Sequence, residues 1–127
     1  MTEALGTTEH LDVAARFFSL AEASDSAVGD ARAWTIVFEF YAAVHLVRAY
    51  IRKKNPSAAI ASHDDVRNFF VDMPELNKVK RSYDFLKQSS QTVRYYGQFE
   101  WDADEYAITR NALKQVRAWS MPLCKKP

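Results

Sequence analysis

The stretch WTIVFEFYAAVHLVRAYIR, residues 34–52, decides the fold that we predict for this chain. Residues three or four apart share one face of a helix. One such stripe here carries four residues, Trp34, Phe38, Tyr41 and His45. Further apolar side chains widen the stripe past half of the circumference, so we expect only Arg32, Thr35 and Glu39 to form a narrow solvent-facing edge. A helix this apolar must be covered by neighbours, which makes it the central helix of a bundle.

The composition agrees with one helical domain. The 127 residues include 3 Gly and 4 Pro, which favours helices over a turn-rich β fold. The single Cys124 excludes an internal disulfide framework. No secretion signal is visible, and polar residues interrupt the central apolar segment too often for a membrane span. We therefore expect a single cytoplasmic domain over residues 1–127, with its core over about residues 8–120.

Capping residues and prolines indicate where the helices end. We predict a first helix over residues 8–23 and the central helix over residues 27–53, with residues 24–26 breaking the first and capping the second. The pair Asn55 and Pro56 should end the central helix, because proline disfavours helical backbone in the residue before it.

Three further helices are predicted in the second half. Ser62 should cap a short one, and Pro74 should begin the next, which Gly97 ends. A last helix should begin at a capping box formed by Asp102 and Glu105, and Pro122 should stop it, leaving a loose tail. The helix after Pro74 shows a continuous seam of Leu76, Val79, Tyr83, Leu86, Ser90 and Val93.

The middle of the chain is basic although the net charge is only +1. Residues 32–94 carry eleven Lys or Arg against six Asp or Glu. Phosphate-binding surfaces have this balance. Solvated helices that place cations near their C-termini have it too. Charge alone leaves both interpretations open.

Three groups of residues have side chains suited to chemistry. They are His45, the pair His63 and Arg67, and the run Arg94, Tyr95 and Tyr96. A histidine in an apolar stripe is more often a core residue with one nitrogen hydrogen-bonded. His63 and Arg67, four apart, share a helix face as a functional pair or as a surface pair. A guanidinium beside two tyrosines suits base stacking and phosphate contact, and it also suits an ordinary amphipathic helix end.

Other chemistries have weaker support in the sequence. Three histidines without Cys or HxH spacing predict no metal site, and a cluster of His45, His63 and Asp65 is the weaker alternative. No glycine-rich nucleotide loop is present, so we expect no cofactor. Ser62 and His63 would point about 100° apart on a helix, which excludes a catalytic triad from that pair.

Three segments together resemble a known family. They are FEFYAAVHLVRAYI (38–51), SHDDVRNFF (62–70) and YDFLKQSSQTVRYYG (83–97). In this order they resemble the HEPN superfamily of small prokaryotic helical proteins, and in particular a branch with a FYAALHL-type helix. The resemblance extends over about residues 8–118. It implies an all-α, up-and-down bundle of four to five helices, which commonly forms a homodimer.

The resemblance also implies a class of functions. HEPN proteins include ribonucleases of toxin–antitoxin, CRISPR and phage-defence systems, and partners of minimal nucleotidyltransferases. The ribonucleases carry an Arg, then a polar residue, then a His that is separated from the Arg by four to six residues. Arg67 matches the Arg and Asn68 the polar residue, but Asp72, Met73 and Pro74 occupy the positions of the His. An unperturbed carboxyl is a poor acid–base group at neutral pH, so His63 or His45 would have to replace it.

We therefore expect an RNA-associated domain of the toxin–antitoxin or phage-defence kind. Whether it is a metal-independent endoribonuclease stays open. In that case His63 or His45 would move protons, Arg67 or Arg94 would stabilise the phosphorane, and Tyr95 or Tyr96 would stack a base. The alternative is a non-catalytic helical interaction module that dimerises or binds a larger protein, such as an antitoxin or a nucleotidyltransferase.

Two packing expectations accompany this interpretation. A common cleft should be lined by His45, His63, Arg67 and at least one of Arg94, Tyr95 and Tyr96. Trp34, Phe38 and Tyr41 should be buried against a set of four residues, Phe17, Phe18, Leu86 and Leu113. We expect one small chain to be too short to cover both the central helix and the later seam, and we therefore predict a homodimer.

Overall fold

Five α-helices make up the structure, a computed structural model that describes residues 5–58, 60 and 63–125 and, of Asp64, only the backbone. They are α1 (Thr7–Asp25), α2 (Trp34–Lys54), α3 (His63–Asp72), α4 (Asn77–Tyr96) and α5 (Ala103–Cys124). Two 3₁₀ turns, Gly29–Ala33 and Pro74–Leu76, precede α2 and α4. The described ranges contain no strand, so the predicted all-α helical bundle is confirmed.

Helix α2 is the central helix, as the sequence predicts. It packs against α1, α4 and α5 over much of its length and makes fewer contacts with α3. Of its 21 residues, 14 are buried. None of the described helices is long and apolar enough to cross a membrane.

The rotation of α2 differs from the expectation. Phe40, not Phe38, is fully buried, whereas Phe38 and Tyr41 are half-buried and Trp34 is 43% exposed. The predicted partner Phe17 does stack against Phe38 and Tyr41, with ring centroids 6.4 and 5.4 Å apart. A helix that is apolar over most of its circumference has no single preferred inner face, so its neighbours decide which line of side chains is innermost.

The polar edge predicted for α2 is also wrong. Thr35 and Glu39 are only 5% and 3% exposed, and each contacts a neighbouring helix: Thr35 meets Ser24 of α1, and Glu39 accepts a hydrogen bond from Thr109 of α5. Arg32, just before α2, is half-buried with its guanidinium 4.2 Å from the centroid of the Tyr106 ring.

The end of α1 and the start of α2 both lie later in the chain than predicted. Helix α1 continues to Asp25, and α2 begins only at Trp34, without a side-chain cap. Gly29 has φ of 68°, a left-handed conformation that a right-handed helix cannot contain, so the helical pattern cannot run on from residue 27. The Oγ atom of Ser24, in the segment predicted to break the helix, lies 2.7 Å from Oγ1 of Thr35.

Several predicted helix ends are confirmed. Asn55 follows α2 with φ of −140°, and Gly97 ends α4 in the left-handed conformation, with φ of 66°. Asp102 accepts from the backbone N–H of Glu105 at 2.8 Å, and Glu105 accepts from that of Asp102 at 3.0 Å, which completes the capping box. The cap predicted at Ser62 lies outside the described residues.

The predicted stop at Pro122 is wrong. Helix α5 continues through Pro122 to Cys124, which is 5% exposed and belongs to the main core cluster. This packing holds the last turn although proline lacks one backbone donor. Cys124 is therefore a core residue, and burial raises the pKa of its thiol to about 11.

A single chain covers both apolar surfaces that suggested a dimer. Every member of the α4 seam is buried, and α2 is enclosed by the other helices of the same chain. The argument that one chain is too short to cover them is therefore wrong. The homodimer stays a prediction that rests on the family resemblance.

We expect Phe40→Ala to lower the free energy of unfolding by about 3–5 kcal/mol, because truncation leaves a cavity among tightly packed rings. The ring of Phe40 is fully buried and lies within 6 Å, centroid to centroid, of the rings of Tyr41, His63 and Tyr83. Urea unfolding followed by circular dichroism measures the loss. Phe85→Ala is the control, since Phe85 is 37% exposed, and it should cost less than about 1 kcal/mol. Equal losses in the two variants would contradict this description of the core.

Candidate functional site

A groove of about 340 Å³ lies between α3 and α4. The polar and charged side chains that line it are His63, Arg67, Lys80, Tyr83, Asp84 and Lys87. We call it the α3–α4 groove. It brings His63 and Arg67 together, as their spacing of four residues predicts. It adds Lys80 and Lys87 of α4, which the sequence did not place beside them.

Helix periodicity explains which side chains of α4 enter the groove. Lys80, Asp84 and Lys87 are four and three residues apart, so they lie on one face. The Nζ atom of Lys80 is 2.6 Å from a carboxylate oxygen of Asp84, and both side chains are about half exposed. An exposed pair of this kind contributes little to stability. Arg67, Lys80 and Lys87 together leave the groove with an excess of positive charge over Asp84.

The buried ring of Phe40 connects the groove with Arg94. The His63 ring stacks on Phe40 with centroids 5.7 Å apart, and the guanidinium carbon of Arg94 is also 5.7 Å from the Phe40 centroid. Arg94 donates to the Tyr41 hydroxyl and to the Ser90 hydroxyl, both at 3.0 Å. His63 and Arg94 therefore lie around the same aromatic ring, and α2 holds Arg94 in a fixed position.

The C-terminal end of α4 exposes two aromatic rings. Tyr95 is 69% exposed and Tyr96 is 82% exposed. The guanidinium of Arg94 lies 4.9 Å from the centroid of the Tyr95 ring. A cation beside exposed rings is an arrangement on which nucleic-acid bases can stack. Asn68 is exposed on α3 and is not among the residues that line the groove.

His45 lies on the side of α2 that faces α1. Its Nδ1 is 2.9 Å from Nδ1 of His10, so one imidazole donates and the other accepts. The Phe17 ring stacks on His45 with centroids 5.8 Å apart. His45 is not among the residues that line the α3–α4 groove, so the structure brings together only part of the cluster expected to share one cleft.

The environment of the two histidines keeps them uncharged. Burial lowers the pKa of His45 to about 4, with smaller contributions from His10 and Arg48. Burial likewise lowers the pKa of His10 to about 4, with contributions from Arg48 and Arg52. Both imidazoles are therefore neutral near pH 7. A base with so low a pKa accepts protons poorly at that pH, which argues against His45 as the acid–base residue.

The sequence contains a helix stripe that could have identified His10 as a buried residue. His10, Ala14, Phe17 and Ala21 step by four, three and four residues, which is one helix stripe. That stripe packs on α2 and contains the three buried residues of α1. By contrast, Lys80 and Lys87 could not be singled out, because their place in the groove depends on how α3 packs near α4.

Among the described side chains, no group of three or more His, Cys, Asp or Glu residues is placed to hold a metal ion. Comparisons of the chain with protein-family models, with curated proteins and with solved structures find no match. The resemblance to the HEPN superfamily therefore stays a prediction based on the three segments quoted above.

We expect His45→Gln to reduce the loss of stability on acidification. The folded-state pKa of His45, about 4, lies below the ordinary value of 6.5, so the unfolded chain binds protons between these values that the folded chain does not. The free energy of unfolding should therefore fall from about pH 6.5 to pH 4 and not change further through this group below pH 4. Urea unfolding at pH 7 and pH 5 measures this contribution.

Variants are compared because protonation of buried Glu39, whose pKa is raised to about 7, increases the free energy of unfolding as the pH falls through the same range. The control is Gln115→Ala, which changes an exposed, uncharged side chain of α5 and should follow the unmodified protein. If the free energy of unfolding falls equally from pH 7 to pH 5 in His45→Gln and in the unmodified protein, the contribution of His45 is refuted.

Proposed function

We propose that this chain is an RNA-binding helical domain, with the α3–α4 groove and the exposed end of α4 as its binding surface. The observation that carries the proposal is the meeting of Arg67, Lys80 and Lys87 in one groove, where Asp84 is the one acid among the described lining side chains. RNA binding depends first on cations that contact phosphates. A groove with this excess of positive charge provides them.

The types of side chain fit the two parts of a nucleotide. Arg67 presents a planar guanidinium suited to two parallel hydrogen bonds to a phosphate, and Lys87 adds a second cation. Tyr96, which is 82% exposed, presents a ring on which an unpaired base can stack. Arg94 is held by Tyr41 and Ser90 and lies between these two parts of the surface.

The preference for RNA over DNA in this proposal comes from the family resemblance. The same resemblance suggests a toxin–antitoxin or phage-defence system as the setting, and a homodimer as the form of the protein. Within the proposal, binding has more support than cleavage. Attack by a 2′-hydroxyl needs a base and an acid, and His63 is the one imidazole among the residues lining the groove.

We expect a short fluorescein-labelled single-stranded RNA to bind in a fluorescence anisotropy titration, with affinity that falls as salt rises. Arg67→Gln should weaken binding and reduce the slope of log K against log salt by about 0.7, the contribution of one phosphate contact. Tyr96→Ala should weaken binding by about 1–3 kcal/mol for one lost stacked base.

The matched control is Arg81→Gln. It removes the same charge from the neighbouring helix α4, at an exposed position that does not line the groove. Equal effects of Arg67→Gln and Arg81→Gln would show that only net charge matters and would reject the groove as the site. Absence of binding by the unmodified protein would reject the RNA proposal and favour the helical interaction module. Incubation of a structured RNA with a chelator present tests cleavage, which His63→Gln should abolish.

A further inference from the structure

A second cavity, of about 210 Å³, lies between α1, α2 and α5. It shares no lining residue with the α3–α4 groove. Thr35 and Glu39 of α2 form its polar, buried side, and Phe18 and Leu113 provide apolar walls. Charged side chains of α1 and α5 surround its opening. We call it the Glu39 cavity.

Glu39 is a buried carboxyl group with few partners. It is only 3% exposed, and its Oε1 accepts one hydrogen bond, from the Thr109 hydroxyl at 2.8 Å. No hydrogen bond to Oε2 and no ion pair to Glu39 is formed by the described residues. The nearby cation Arg110 instead pairs with Asp25 at 3.1 Å.

Such a group is costly to the fold, because a buried carboxylate is stable only when it is paired and hydrogen-bonded. Burial accordingly raises the pKa of Glu39 to about 7, while the Thr109 hydrogen bond and the charge of Arg110 act to lower it. A leucine or glutamine would fill the same place on α2 at less cost. The carboxyl group therefore calls for a partner that the described chain does not provide, and it lies against a cavity where a partner can bind.

We infer that the Glu39 cavity binds a small organic amine, with the ammonium group donating to Oε2 of Glu39 and the apolar body packing on Phe18 and Leu113. An ammonium group supplies both the missing charge and the missing donor, whereas a hydroxyl supplies only the donor. The charges at the opening do not favour an anion inside. Arg110 is paired with Asp25, and the guanidinium of Arg117 lies over the Phe18 ring, 4.5 Å from its centroid.

The volume limits the size of the amine. A cavity of about 150 Å³ accommodates benzene, and sites for drug-sized ligands begin near 300 Å³. The Glu39 cavity falls between these, so a single ring or a short branched chain with one amino group fits it. Benzylamine is a suitable probe, and benzyl alcohol is its uncharged counterpart of nearly the same shape.

The test is a titration of the protein with benzylamine at pH 8, followed by amide chemical shifts and by calorimetry. We expect shifts at residues lining the Glu39 cavity and an affinity at least tenfold higher for benzylamine than for benzyl alcohol. Glu39→Gln keeps the shape and removes the charge, so it should weaken benzylamine binding at least tenfold and leave benzyl alcohol unaffected. Glu100→Gln, which removes an exposed acid outside the cavity, should bind benzylamine like the unmodified protein.

A pH series on the unmodified protein gives a second measurement that needs no variant. An alkylammonium stays charged from pH 5 to pH 8, so protonation of Glu39 should weaken binding about tenfold per pH unit below pH 7. The groups around Glu39 whose charges also enter this profile are Glu22 and Asp25 of α1 and Arg110, Lys114 and Arg117 of α5. Equal affinity of Glu39→Gln, equal binding of benzyl alcohol, shifts outside the cavity, or binding that does not weaken below pH 7 would each overturn the inference.

Discussion

Enclosure of α2 by the other helices is the constraint on which the rest of the structure depends. A helix with 14 of 21 residues buried can carry a polar side chain only where a neighbour provides a partner. Three of its polar groups accordingly meet a polar group of a neighbouring helix. His45 meets His10 of α1, Glu39 meets Thr109 of α5, and the Tyr41 hydroxyl meets Arg94 of α4. The polar groups of α2 thus fix how three other helices pack around it.

The same enclosure explains which parts of the fold the sequence could predict. Helices with one apolar face, such as α4, have a periodicity that identifies the buried side, and local caps such as Asp102 with Glu105 identify a helix start. Helix α2 has apolar residues on nearly every side, so periodicity could not distinguish Phe40 from Phe38 as the innermost ring. The helix starts at Trp34 and not near residue 27 because Gly29 adopts a left-handed backbone, which a sequence pattern does not reveal.

The residues of the candidate site also divide into those that the sequence could predict and those that depend on packing. His63 and Arg67 could be paired from their spacing, because both lie on one short helix. Lys80 and Lys87 join them only through the packing of α3 near α4, which is tertiary information. The prediction that Glu39 lies at the solvent-facing edge of α2 was wrong for a different reason. A polar residue on an apolar helix is usually at the solvent edge, and only the packing of α5 shows that this one is buried.

The two sides of the bundle therefore differ in how their polar groups relate to stability. In the α3–α4 groove, the Arg67 side chain is exposed, so changing it alters the charge of a surface while the core stays intact. In the Glu39 cavity, the carboxyl group is dehydrated, and its charge is opposed by the fold at every pH above its pKa. A ligand that restores a partner there stabilises the folded chain in proportion to its affinity and concentration. A substitution in the groove thus acts on the surface, whereas a substitution at Glu39 acts on the core through α2.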